Sequence, residues 1–182
     1  MSYDRQSHAF CLRQMSAAAP ALGLAGLMAL SGCARMAEGE MRAALGQWFA
    51  LGETVGFAAQ QGCAAGVFSL VDTQIGSAMP VVRSAGQAGT MVRERGRMAL
   101  DDSALTPDRA MVDIANLDRE LGMRLRRAAL EGRACMDALT ESAFRHALTQ
   151  PEAVLAHDAD LGALILMAPR EGLLIVAMGD RP

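Results

Sequence analysis

The sequence predicts an α+β domain: an antiparallel sheet of at least four strands, arranged as two hairpins, with one long helix and one or two short helices packed on one face. Three patterns lead there. Residues 53–59 (ETVGFAA) and 63–75 (CAAGVFSLVDTQI) are strand-like runs separated by QQG, where Gly62 can take the positive φ of a tight turn. Residues 161–180 (LGALILMAPREGLLIVAMGD) hold two runs of strand length around APREG, apolar on both parities and so suited to buried strands. Between these pairs lies a long stretch with helical spacing of its apolar residues. The order ββ, α, α, ββ is that of an α+β domain.

Taken in chain order, residues 41–51 (MRAALGQWFAL) predict a short helix that buries Leu45, Trp48 and Phe49. The first hairpin follows, with Cys63 at the start of its second strand. Residues 76–105 contain a proline, several glycines and mixed charge; Val81-Val82 and Met91-Val92 are the candidates there for short edge strands. Thr106-Pro107-Asp108 is a helix start, with a capping hydroxyl, proline at the first position and an acid in the first turn. One continuous helix is expected from it, with Met111, Ile114, Ala115, Leu121, Leu125 and Ala128 on one face and Gly132 past its end. Thr140 can cap a second helix, ESAFRHALTQ, which Pro151 terminates.

The N-terminal segment carries a different message. From Met15 to Gly32 there is no charged residue, and a mildly basic start with Arg5 and Arg13 precedes the run, which is the shape of a secretory signal. As a helix this run would reach only about 27 Å, and Pro20 with many Ala and Gly residues dilutes it, so cleavage is the expectation. Leu30-Ser31-Gly32-Cys33 resembles the lipobox of bacterial lipoproteins, in which a dedicated peptidase cuts before the cysteine and its sulfur carries a diacylglyceryl group. The resemblance implies that residues 1–32 are removed as a signal peptide and that Cys33 is lipidated. Residues 33–40 would then form a short tether and residues 41–182 a single globular domain. It further implies a membrane-anchored protein of the cell envelope facing the periplasm, and Ala34 in place of Asp favours the outer membrane.

Removal of the signal leaves 150 of the 182 residues, enough for one domain with a sizeable core. Of the 17 arginines two fall in the signal, and of the 20 carboxylates one, so the remaining balance is about −4. Lysine is absent, which excludes Schiff-base, Walker and Ser-Lys chemistry. Tyr3 and His8 lie in the signal, leaving His146 and His157 as the only histidines. Trp48, Phe49, Phe57, Phe68 and Phe144 are too few to form base-stacking platforms, so nucleic-acid binding is not expected. The ten methionines from Met36 onward are scattered, as core packing would have them, and no cofactor or metal is expected.

In an oxidising compartment Cys63 and Cys135 are expected to form a disulfide. Two separate buried thiols, or a soft metal site with a histidine, are the alternatives. There is no G-x-S-x-G, H-E-x-x-H or C-x-x-C. His157-Asp158-Ala159-Asp160 offers an imidazole beside two carboxylates, which suits either half of an enzyme site or a polar loop between helix and strand. Arg93, Arg95 and Arg97 alternate, and on an extended segment they would share one side and form an anion- or partner-binding face. Arg124, Arg126, Arg127 and Arg133 crowd the end of the long helix, where they complement its negative pole or face lipid headgroups.

Exclusion and location together predict a lipid-anchored, non-catalytic binding or accessory module for an envelope protein partner. The alternative is a small envelope enzyme of hydrolase type that uses His157 and nearby carboxylates, for which Asp158 and Asp160 are the candidates.

Overall fold

The computed structural model describes residues 36–179; the expected signal peptide and the lipidation expected at Cys33 lie outside the described residues. The elements in order are α1 (Glu38–Leu45), β1 (Phe49–Gln60), β2 (Cys63–Ile75), β3 (Val81–Val82), α2 (Ala85–Arg95) and β4 (Arg97–Leu100). Then come α3 (Pro107–Leu117), α4 (Arg119–Gly132), a 3-10 turn at Arg133–Cys135, α5 (Ala138–Leu148), β5 (Val154–Asp158), β6 (Ala163–Ala168) and β7 (Leu173–Met178). The strands make one seven-stranded sheet in the order β1-β2-β7-β6-β5-β4-β3. All pairs are antiparallel except β3 with β4, which α2 joins in parallel. The fold is α+β.

Both expected hairpins form. Gln60 pairs with Cys63 across a turn in which Gly62 has φ 86°, and Ala168 pairs with Leu173 across the APREG turn. The second hairpin extends into a meander, because residues 154–158 form β5 beside β6. Of the His157–Asp160 stretch expected as a site or a polar loop, His157 and Asp158 instead end this strand, and all five of its residues are buried. Met91 and Val92 are not a strand but part of α2, which Ser84 precedes in extended geometry and Gly96 closes with φ 72°. That left-handed conformation favours glycine and turns the chain directly from helix into β4.

The long helix expected after Thr106 is two helices. Thr106 caps α3 by accepting from the Arg109 amide at 3.3 Å. The chain breaks at Asp118, whose carboxylate accepts from the Leu121 amide at 3.0 Å and so caps α4. The apolar spacing continues through the break, because both helices bury one face against the same sheet. Gly122 permits their contact, since a Cβ there would run into Ala115 of α3. Gly132 is the last residue of α4 rather than the residue past it, and Asp137, not Thr140, caps α5.

The sheet carries helices on both faces. Val67, Leu100, Leu155, Leu164, Leu166 and Ile175 point to the face covered by α2, α3, α4 and α5. Ala99, Ala156, Ile165, Leu174 and Val176 point to the other, where α1 and Trp48 cover them with Met41, Leu45 and Met79. α1 thus stands apart from the helices expected on one face. It begins inside the expected tether, and Met36 before it is buried. Cys63 and Cys135 form the expected disulfide, with Cα atoms 5.9 Å apart, and it fastens β2 to the turn after α4. Among the described residues no helix is long and apolar enough to cross a membrane.

Candidate anion-binding site

The three arginines expected on one extended face do not share it. Arg93 and Arg95 lie in the last turn of α2, and only Arg97, past Gly96, is in a strand. Helical geometry sends Arg93 away from the others, to Asp118 at 2.5 Å and Thr90 at 3.3 Å. Arg95 and Arg97 stay together, and both line one open cavity of about 450 Å³ between α2 and the chain that leads into β3. Ser77, Pro80, Met91 and Glu94 complete its wall.

The β4–β5 register sets Arg97 opposite Asp158. Side chains opposite each other on neighbouring strands share a face, so the two meet, with Arg97 Nε 3.5 Å from Asp158 Oδ2. Asp158 is only 1% exposed, and its other oxygen accepts from the Leu161 amide at 2.7 Å, which closes the β5–β6 turn. Arg97 Nη2 lies 3.5 Å from Asp160 on that same turn. The guanidinium lies over the Trp48 ring, 5.1 Å from its centroid, a cation–π arrangement. Ring, buried carboxylate and turn thus hold Arg97 in place, while Arg95 has no ion pair or hydrogen bond among the described residues.

His157 is not part of this site. Successive residues of a strand face opposite sides, so His157 points to the helical face while Asp158 points to Trp48. The expected grouping of His157 with Asp158 and Asp160 is therefore split by the sheet, and neither carboxylate orients the imidazole. His157 Nδ1 lies 2.8 Å from the Ala163 carbonyl oxygen; a carbonyl only accepts, so Nδ1 carries the hydrogen and Nε2 is the bare nitrogen of the neutral ring. Nε2 is buried with no partner among the described residues. Burial pushes the His157 pKa down and the Arg124 charge adds to this, against the opposing pull of the Ala163 carbonyl and Asp158. His157 borders a cavity of about 280 Å³ beside α4, with Glu120, Arg124, Arg127 and Glu131. His146 is on the surface, 3.0 Å from Glu171.

Two guanidiniums that open on one cavity can take a carboxylate or phosphate in planar, charge-assisted hydrogen bonds, and Ser77 adds a hydroxyl. Glu94 lines the same cavity and Asp160 already faces Arg97, so an incoming anion would compete with both carboxylates. Among the described residues no group of three His, Cys, Asp or Glu side chains converges on a metal position. The reading of the residues missed Trp48, which is buried as expected but also serves as the platform for Arg97. Its partner lies 49 positions away, and no local pattern signals the pairing. Comparison of the chain with protein-family models, with curated proteins and with solved structures found no match.

Proposed function

We propose that this chain is a lipid-anchored, non-catalytic binding module of a bacterial envelope, and that it captures a carboxylate or phosphate group of an envelope partner at Arg95 and Arg97. The observation that carries the reading is the pairing of a guanidinium fixed over Trp48 with an uncommitted one in a single cavity. Weak capture is sufficient for a tethered module. Cys33 lies three residues before the buried Met36, so lipid on it would hold the domain within about 10 Å of the bilayer. A partner in the same membrane is then held at high effective concentration.

A hydrolase reading would draw on His157 with Glu120 and Glu131, which share its cavity, rather than on Asp158 and Asp160. The test is recovery of cross-linked envelope partners with the detergent-extracted protein. Arg95→Gln, which breaks no ion pair, is expected to lower that recovery several-fold while the chain remains folded and membrane-associated. Unchanged recovery contradicts the site, and a Cys33→Ala chain that is processed and fractionates as before contradicts the anchor.

A further inference from the structure

α3, α4 and α5 meet over a cavity of about 410 Å³, within the range of about 300–1,000 Å³ that small-molecule sites occupy. Small residues create it. Gly122 lets α3 and α4 touch at Ala115, and Ala115 and Ala129 offer only methyl groups to the gap, with Met111, Phe144 and Leu148 as the rest of the floor. Phe144 is 2% exposed and Met111 7%, so the interior is apolar. The polar groups that line the cavity are all on its exposed rim.

These rim groups differ in what they already hold. Arg133 is 2.6 Å from Glu141, and Asp108 stands in the first turn of α3, where the positive pole of the helix meets its charge. Arg126 has no ion pair or hydrogen bond among the described residues. Asn116 adds an amide that can donate beside it. Val112 and Leu130 flank the opening, 46% and 64% exposed, and an apolar chain lying between them would cover both.

One uncommitted cation at the rim of an apolar floor is complementary to a molecule with a single negative charge and a slender apolar body. A carboxylate has that charge, whereas a phosphate monoester carries about −1.5 to −2, more than Arg126 alone balances. The cavity is walled by three helices and does not run as a groove between two, which suits one alkyl chain better than a partner helix with anchors at i, i+3, i+4 and i+7.

We propose that this cavity binds a free fatty acid of medium chain length, with its carboxylate at Arg126 and Asn116 and its alkyl chain against Met111, Phe144 and Leu148. The cavity opens on the helical face of the sheet, opposite α1 and Met36, so the ligand arrives from solution. The site shares no residue with the cavity of Arg95 and Arg97 and does not depend on it.

The test is photolabelling of the full-length protein with two probes, decanoic acid and decanol, each carrying a terminal diazirine, read by peptide mass mapping. Both are expected to mark residues 111–116 and 144–148 above the rest of the chain. Arg126→Gln, which breaks no ion pair, should lower labelling by the acid about threefold and leave labelling by the alcohol unchanged. Ala129→Leu, which narrows the gap, should lower both several-fold in a chain that circular dichroism shows to be folded. Arg95→Gln should change neither, which separates this site from the anion capture proposed above. Labelling spread evenly over the surface overturns the proposal, and so does an Arg126→Gln chain that takes up the acid as the parent does or loses both probes alike.

Discussion

The two faces of the sheet bury charged chemistry in opposite ways, and adjacent residues of one strand show the contrast. On the helical face His157 is held neutral: burial depresses its pKa, one nitrogen is satisfied by the Ala163 carbonyl, and the other has no partner. On the α1 face Asp158 is equally buried but meets Arg97, which rests on Trp48 and reaches the surface. The helical face is also fastened covalently, through Cys63–Cys135, whereas the α1 face is held by one short helix and its polar contacts. Arg42 of that helix donates to the Thr54 hydroxyl and the Gly52 carbonyl oxygen and lies over Phe68. A buried group with an ionic partner positions a cation at a cavity mouth. A buried group without one makes stability depend on pH.

The largest effect is expected on the helical face. Replacement of Cys63 and Cys135 with Ala opens a loop of 72 positions, for which chain entropy assigns about 4 kcal/mol. Chemical unfolding should show a midpoint lowered accordingly, and a loss below 1 kcal/mol would mean that packing alone fastens this face. Next comes Arg97→Gln, which leaves the Asp158 carboxylate buried without its cation. Loss of one partner of a buried pair costs about 3–5 kcal/mol, and the partial exposure of Arg97 puts the expected loss at about 3 kcal/mol. The double variant Arg97→Gln with Asp158→Asn should recover part of it, and a single variant as stable as the parent would show that the pair does not hold the turn.

A smaller effect separates the faces by pH. The folded pKa of His157 lies below the unfolded value of about 6.5. Its neutral form is the one the fold accepts, so stability is full above pH 6.5 and is lost as pH falls through the depressed folded value. The carboxylates of Glu141 and Glu171, lowered by Arg133 with Arg145 and by His146, titrate in a separate and more acidic window. Unfolding curves at pH 7 and pH 5 should differ more for the parent than for His157→Leu. Equal differences would show that His157 takes up its proton without cost.

Much of this contrast was legible in the residues, and its limits have physical causes. The hairpins, the disulfide and the Thr106 helix start rest on local signals: a glycine turn, cysteine pairing, a hydroxyl before proline. The β5 strand was missed because His157, Asp158 and Asp160 look polar in sequence, and only cross-strand partners make them fit a buried position. The ends of α2 carried readable signals, Ser84 before the helix and Gly96 after it, which the apolar pair Met91-Val92 obscured. The break at Asp118 was hidden because periodicity reports a shared buried face and not chain continuity. The site itself was half visible, since Arg95, Arg97, Asp158 and Asp160 were all singled out, but their grouping depends on the β4–β5 register and on Trp48.

Trp48 also supplies the most direct measurement. It is the only tryptophan of the chain and lies under Arg97, so its fluorescence reports the cavity without a label. Titration of the folded protein with inorganic phosphate, and separately with acetate, is expected to give a saturable change in Trp48 emission for at least one anion. Arg95→Gln should weaken that response several-fold, with stability unchanged to within about 0.5 kcal/mol because the residue makes no internal pair. A flat titration with both anions, or a response identical in Arg95→Gln, would contradict anion capture at this site.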